Sequence, residues 1–354
     1  MTDGNYIKFL LGSNTKRGFV SLFDELRDPI NGMRLYIIKG GPGSGKSSLM
    51  KRVIKHLKDK GNTMECFHCA SDPSSLDAFI DYDARIAMVD GTAPHIMDPE
   101  YPGAYDVIIN MADCWDDTVL KKHKDEIISL SDNISICHNM AASCISSAAT
   151  LLDNNIHIAK PYVRQNTINE FVTKLIKKLD GSDAGRIKKR LLSAVSVGET
   201  VFFSETIEML SKNIYVIPDM WGAASKALLN KLHSAASLLD IEQIVCYCSI
   251  RTPDKIDHII FPSAGITVTT ANHFHSISDS KHHIIHDLMK PLPKITQEQM
   301  SRHLNKAKEL IDMAGEHVRK AKLLHDDLES YYIKAMDFTK VDQIFDKVIS
   351  ECDL

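Results

Sequence analysis

One short stretch, residues 40–48 with the sequence GGPGSGKSS, limits what this chain can fold into more than any other feature. It fits the pattern G-x-x-x-x-G-K-[ST] at every defined position. Glycines at these positions let a loop wrap closely around an anion, because no Cβ atoms stand between its N–H groups and the ligand. The preceding residues RLYIIK (34–39) read as a buried strand, and apolar residues recur at helical spacing after the loop. Strand, glycine loop and helix in this order predict a nucleotide-binding α/β unit.

The predicted nucleotide site follows from the loop residue by residue. It comprises Gly40, Gly41, Pro42, Gly43, Ser44, Gly45, Lys46, Ser47 and Ser48. Lys46 supplies a positive charge for the phosphates, and the Ser47 hydroxyl is placed to bind Mg²⁺. The dipole of the following helix favours the same anion. The predicted ligands are therefore ATP and Mg²⁺.

Two aspartates are candidates for the rest of the chemistry. Asp90 ends the apolar run IAMVD, as expected for a carboxylate that a buried strand delivers beside the loop, and we predict that it holds Mg²⁺ together with Ser47. The next residue is Gly91, so the glutamate that often activates water at this position is missing, and the hydrolytic base stays unassigned. Asp72 follows the strand predicted at residues 64–69. It is either a catalytic group or the start of an Asp-Pro turn.

The chain contains an internal repeat. The segment YII (36–38) aligns with YVI (215–217), and the residue types stay in step for about sixty positions. In this alignment, which needs one inserted residue before Pro253 of the second copy, Gly40 becomes Asp219, Gly45 becomes Ala224, Lys46 becomes Ser225 and Asp90 becomes Thr270. Each change removes phosphate or metal chemistry, so the second copy is expected not to bind nucleotide in the usual way. Asp77 with Asp257 and His95 with His275 are kept in both copies, which favours a structural role for them.

We therefore predict two α/β lobes of the P-loop NTPase type, each with a mostly parallel sheet and a long helical arm. The predicted boundary lies in residues 181–185 (GSDAG) and divides the chain into an active module at 1–180 and a degenerate one at 186–354. Heptad rows of apolar and alanine residues predict the arms, around residues 120–151 and 304–335. The arms either pack on each other and on the shorter helices that follow them, or form a stalk that binds a protein partner or a second copy.

Composition and charge limit the partners and the cellular location that this protein can have. The net charge of −4 argues against a protein whose main task is to bind nucleic acid, although a local basic patch stays open. The sequence has no uninterrupted apolar run long enough to span a bilayer, and it opens on polar residues. The 8 cysteines in a chain of 354 residues suit reduced, buried thiols better than a disulfide framework. We expect a cytoplasmic protein without a membrane partner.

Four segments carry a resemblance to a known family: RGFVSLFDEL, YIIKGGPGSGKSSLMK, HCASDPSSLD and VDGTAPH. On them, the chain resembles a family of uncharacterised bacterial ATP-binding proteins built from two tandem P-loop modules. The resemblance covers essentially the whole length and implies the fold and the nucleotide, but no particular reaction. This chain departs from relatives that keep a complete loop in both halves.

The sequence therefore predicts an Mg²⁺-dependent ATPase that couples hydrolysis in the first lobe to a conformational change. In this hypothesis a cation of the second lobe, Arg251 or Lys226, acts on the transferred phosphoryl group in trans. Two alternatives stay open. A small-molecule kinase would place acceptor-binding residues at Asp72, Ser74 and Ser75, and a nucleotide sensor or scaffold would bind ATP through Lys46 without turnover.

Overall fold

The computed structural model describes residues 6–28, 32–179, 185–277 and 282–352. Within them the chain is a mixed α/β protein with two six-stranded sheets and two long helices. The predicted linker at residues 181–185 lies outside the described residues except for Gly185.

The strands of the first half form a mixed sheet and a small hairpin. They are β1 (Tyr6–Phe9), β2 (Gly12–Thr15), β3 (Gly18–Ser21), β4 (Arg34–Lys39), β5 (Met64–His68), β6 (Leu76–Asp81), β7 (Ile86–Asp90) and β8 (Asp106–Asn110). Strands β2 and β3 pair with each other, and the sheet has the order β1-β5-β6-β7-β4-β8. The strand that precedes the glycine loop, β4, thus lies between β7 and β8 and is parallel to both.

Strand β6 makes the sheet less parallel than the sequence indicated. It runs antiparallel to β5 and to β7, because short turns connect it to both neighbours. Strand β8 was not predicted; it lies ahead of the helical arm that was predicted around residues 120–151. The register places Asp90 opposite Ile38, at the end of β7 that adjoins the loop. Asp90 is thus delivered where the sequence predicted.

The second half repeats this strand arrangement. Its strands are β9 (Ile187–Arg190), β10 (Ser193–Val195), β11 (Thr200–Phe202), β12 (Asn213–Pro218), β13 (Gln243–Tyr247), β14 (Ile256–Phe261), β15 (Ile266–Ala271) and β16 (His283–Ile284). The sheet order is β16-β12-β15-β14-β13-β9, which is the order of the first sheet read from its other edge. Ile217 is opposite Thr270, as Ile38 is opposite Asp90, so the pairing of Asp90 with Thr270 is confirmed.

The helices are α1 (Lys46–Lys58), α2 (Asp117–Lys122), α3 (Lys124–Ala159), α4 (Gln165–Ile176), α5 (Ser204–Leu210), α6 (Ala223–Leu238), α7 (Lys294–Ala335) and α8 (Phe338–Cys352). At 1.5 Å per residue, α3 is about 54 Å long and α7 about 63 Å. The alanine row predicted for α7 is buried along its length, at Ala307, Ala314, Ala321 and Ala335. None of the described helices is both long and apolar enough to cross a membrane.

The chain divides into two compact units that interleave in sequence. Unit 1 contains Met1–Gly12, Ser21–Met140 and Glu316–Leu354, and unit 2 contains Ser13–Val20 and Ala141–Gly315. The predicted division into 1–180 and 186–354 separates the two sheets, but it does not follow these units, since α3 and α7 each contribute to both. In unit 1, α8 packs with α1 on the first sheet, and in unit 2, α4 packs with α6 on the second. Each sheet is thus covered by a short helix from the other half of the chain.

Candidate nucleotide-binding site

The glycine loop connects β4 to α1 as predicted. Gly45 precedes the first residue of α1 and has φ of 88°, a left-handed conformation that a residue with a side chain rarely adopts. Leu49 N donates to Gly45 O at 2.8 Å, so the first helical turn is closed directly after the loop. Buried Leu49, Met50, Val53 and Leu57 fix α1 on the sheet. The N-terminus of α1 is therefore held at the loop, where its N–H groups favour an anion.

The Lys46 side chain folds back over the loop. Its Nζ atom donates to the carbonyl oxygens of Gly40 and Gly41 at 2.9 and 2.8 Å, and it lies 3.5 Å from Asp90 Oδ2. Both side chains are largely buried, with 11% and 17% of their surfaces exposed. Charge-assisted contacts of this kind hold the ammonium group within the loop. The structure therefore brings together Lys46, the loop and Asp90, which sequence analysis assigned to one site.

Ser47 and Asp90 are the predicted Mg²⁺ ligands. Ser47 Oγ accepts a hydrogen bond from Leu76 N at 3.1 Å, which joins α1 to the start of β6. Asp90 Oδ1 accepts from Thr92 N at 3.0 Å, while its Oδ2 atom faces Lys46. A hydroxyl and a carboxylate are hard oxygen ligands of the type that Mg²⁺ prefers, usually with water and phosphate completing the shell. The two side chains thus fit a magnesium site. The hydrogen bond from Thr92 orients the Asp90 carboxylate.

Asp77 lies in the same region, although the sequence favoured a structural role for it. It is buried at the start of β6, next to the residue that binds Ser47. Burial raises the pKa of Asp77 to about 6; His95 opposes this shift, while Asp90 and Asp72 add to it. Three carboxyl groups therefore interact at this edge of the sheet. His95 is also buried, and its ring stacks on Phe23 with a centroid distance of 4.6 Å, which agrees with a structural role.

Asp72 forms the turn that was one of its two predicted roles. Its Oδ1 atom accepts from Ser74 N at 3.1 Å and from Ser74 Oγ at 2.6 Å. Its Oδ2 atom lies 3.5 Å from Lys322 Nζ, on α7. Burial opposes the shift, but the hydrogen bonds from Ser74 and the Lys322 charge lower the pKa of Asp72 below its usual value. The carboxylate is thus ionised and paired, whereas a base that accepts a proton near neutral pH needs a raised pKa.

Helix α7 lies directly against the glycine loop, a contact that the sequence did not predict. Glu329 Oε1 accepts a hydrogen bond from Gly43 N at 3.3 Å. A Cβ atom on Gly43 would lie 2.8 Å from the backbone oxygen of Glu329, and one on Gly41 would lie 2.5 Å from the ring of Tyr332. The backbone of this helix therefore requires glycine at position 43, whereas a side chain at position 41 would displace the Tyr332 ring.

The corresponding loop of the second half is shorter than the sequence alignment predicts. Six residues (40–45) separate β4 from α1, but only four (219–222) separate β12 from α6. Gly222, with φ of 78°, precedes α6 as Gly45 precedes α1, so it is Gly222 that corresponds to Gly45 and Ala223 that takes the place of Lys46. The predicted pairings of Gly45 with Ala224 and of Lys46 with Ser225 are thus wrong, because the second loop is shorter.

Asp219 fills the second loop with its own side chain. Its carboxylate accepts hydrogen bonds from Trp221 N at 3.2 Å, Gly222 N at 2.9 Å and Ser225 N at 2.7 Å. A negative charge at a helix N-terminus is stabilised by the unpaired N–H groups and the helix dipole. The Asp219 carboxylate, which is only 5% exposed, therefore takes the position at the N-terminus of α6 where an anion would bind.

Two buried basic residues of the second half, Arg251 and Lys255, have acidic partners within unit 2. The buried guanidinium of Arg251 lies 3.8 Å from Asp153 Oδ1, and its Nε atom donates to Cys248 Sγ at 3.4 Å. The buried Lys255 ammonium pairs with Asp257, the counterpart of Asp77. Position 75 of the first half, which corresponds to Lys255, is serine. Asp257 thus has a built-in cation at a position where the first half has none. The roles in trans predicted for Arg251 and Lys226 stay predictions.

A family model described as Nephrocystin 3, N-terminal, matches residues 21–79. This segment includes the glycine loop, Lys46 and Ser47, but neither Asp90 nor the second half of the chain. Searches of curated proteins and of solved structures gave no match. The likeness is therefore confined to the region around the loop, and the resemblance to tandem-module bacterial proteins stays a prediction.

Proposed function

We propose that this chain is an Mg²⁺-dependent ATPase of the P-loop NTPase type, with one nucleotide site in its first half. The observation that carries the proposal is the position of Lys46, whose ammonium group lies between the loop carbonyl oxygens and the Asp90 carboxylate. A lysine ammonium group on a glycine loop at a helix N-terminus is the arrangement that binds the phosphates of a nucleotide.

The roles of the residues follow from these positions. Lys46 turns from the loop carbonyls to the phosphate oxygens and stabilises the charge on the transferred phosphoryl group. The loop N–H groups position the phosphates, while Ser47 and Asp90 hold Mg²⁺. When bound, that ion neutralises phosphate charge. Asp77 is a better candidate for the general base than the paired Asp72, because its pKa of about 6 lies closer to neutral pH.

In this proposal the two halves are tandem modules of one ancestral type, as in the bacterial family that the sequence resembles. The common strand order of the two sheets supports this relationship. The second module does not bind nucleotide, because Asp219 satisfies the N–H groups of its loop and Ala223 replaces the phosphate-binding lysine. The second module is thus a structural counterpart of the first module. This favours a mechanical or switching function over that of an enzyme with two nucleotide sites.

A nucleotide-dependent switch with little turnover is the second candidate. Asp72, which was a candidate base, is held by Ser74 and Lys322, and the residue after Asp90 is Gly91. Slow hydrolysis would follow, because neither of these two positions supplies a carboxylate that activates water. The kinase alternative draws no such support, since Ser74 is engaged with Asp72 and with Lys51.

The test measures ATP binding and phosphate release together in the full chain. Lys46→Ala should abolish both, whereas Lys231→Ala, which removes the same charge from the exposed surface of α6, should leave both intact. Turnover that depends on Lys46 supports the ATPase, and tight Lys46-dependent binding without turnover supports the switch. Binding that survives Lys46→Ala would refute both.

A further inference from the structure

The two glycine loops have the same kind of partner, a carboxylate that accepts hydrogen bonds from loop N–H groups. In the second loop the carboxylate belongs to Asp219, which is part of the loop itself. In the first loop it belongs to Glu329, which is 286 residues away in the sequence and lies on α7. An internal carboxylate thus stands in each half where a phosphate-binding loop would offer its N–H groups to an anion.

The two carboxylates differ in whether they can move away from the loop N–H groups that donate to them. Asp219 cannot move without refolding its loop, and it is nearly fully buried. Glu329 is only half-buried, and it lies on a separate element, α7, rather than in the loop. The first loop also keeps the cation, Lys46, that the second loop lacks. The carboxylate at the second loop is thus part of that loop, whereas the one at the first loop comes from another element.

A short part of α7, residues 322–332, makes these contacts with the first loop and its surroundings within unit 1. Lys322 pairs with Asp72, Glu329 binds Gly43, and Tyr332 covers Gly41. The Tyr332 ring also meets Trp115 edge to face, with ring centroids 5.7 Å apart. His325 Nδ1 lies 3.7 Å from the Glu329 carboxylate on the same helix. We call residues 322–332 the α7 clasp.

We propose that the α7 clasp is an autoinhibitory lid, in which the Glu329 carboxylate occupies the loop as a substitute for phosphate until nucleotide displaces it. This inference rests on the proposed function, because it assumes that the first loop binds phosphate. The same N–H group of Gly43 cannot donate fully to Glu329 and to a phosphate, and Tyr332 covers the adjoining face of the loop. Binding of nucleotide therefore moves the clasp away, which gives α7 a position that reports the state of the site.

The first test is the affinity for Mg²⁺-ATP, with inorganic pyrophosphate as a probe that lacks the base. Glu329→Ala removes the competing carboxylate and should raise affinity by ~10-fold or more, the range expected for a hydrogen bond to a charged group. Glu329→Gln, which keeps an acceptor but not the charge, should give a smaller increase. Asp327→Ala is the matched control, since it removes an exposed carboxylate from the same turn of α7.

The second test uses the native fluorescence of the clasp. The chain has two tryptophans, Trp115 beside Tyr332 and Trp221 in the second loop. In a Trp221→Phe protein, ATP should change the emission of Trp115 as Tyr332 leaves it. In a Trp115→Phe protein, the emission of Trp221 should stay constant.

The outcomes separate the two proposals. Lys46-dependent binding of equal affinity in the native and Glu329→Ala proteins, with constant Trp115 emission, would overturn the lid and leave the nucleotide site intact. Absence of Lys46-dependent binding in every variant would overturn the proposed function and the lid with it. Raised affinity in Glu329→Ala but not in Asp327→Ala, with altered Trp115 emission, is the result expected.

Discussion

Replacement of Asp219 should destabilise unit 2 strongly, because this side chain holds the second loop closed. Asp219→Ala leaves the N–H groups of Gly222 and Ser225 buried without their acceptor and removes a third bond, to Trp221. An unsatisfied buried donor costs about 1–3 kcal/mol. Two such donors and the lost charge at the N-terminus of α6 give a destabilisation of about 4 kcal/mol.

Asp219→Asn is the informative intermediate. It keeps an oxygen for Trp221 and Gly222 but turns an NH₂ group toward Ser225 N, so the expected cost falls to about 2 kcal/mol. Urea unfolding followed by Trp221 fluorescence measures both effects, and Asp312→Ala on the exposed surface of α7 should stay within about 0.5 kcal/mol of the native protein. A loss below about 1 kcal/mol for Asp219→Ala would refute the internal-anion explanation.

Two further predictions concern the first site. Burial raises the pKa of Asp77 from 3.8 to about 6, so the folded protein holds this proton more tightly than the unfolded chain, and stability is lost as pH rises from 4 through 6. Asp77→Asn should therefore be more stable than the native protein by about 2–3 kcal/mol at pH 7 and no different at pH 4 in urea unfolding, and a difference that is independent of pH would contradict this. Ser47→Ala should weaken ATP binding with Mg²⁺ but not with a chelator present, since it removes a metal ligand rather than a phosphate contact. Equal losses under both conditions, measured by calorimetry, would argue against that role.

The local features of the site could be predicted from the sequence because they depend on neighbours in the chain. The loop pattern places Lys46 and Ser47 at the start of a helix, and the apolar run before Asp90 places this carboxylate at the end of a strand. Both predictions could be made because strand and helix periodicity depend only on residues that are close in the sequence. The long helices followed in the same way from heptad spacing.

The rest depends on contacts that no local pattern encodes. Glu329 and Tyr332 reach the loop from the far end of the chain, and Tyr332 looked like one member of a packing row. The shorter second loop was hidden because Asp219 and Ser225 align plausibly without a gap. Strand β6 was missed since its alternation is weak and every residue in it is buried.

The equilibrium affinity for Mg²⁺-ATP of the native chain beside Lys46→Ala tests most directly whether Lys46 and its loop bind the phosphates of ATP. Binding should occur at one site per chain and should weaken by ~100-fold or more in the variant, because one desolvated charge contact and the loop geometry act together. Equal affinity in the two proteins, or two sites per chain, would contradict a single nucleotide site that depends on Lys46.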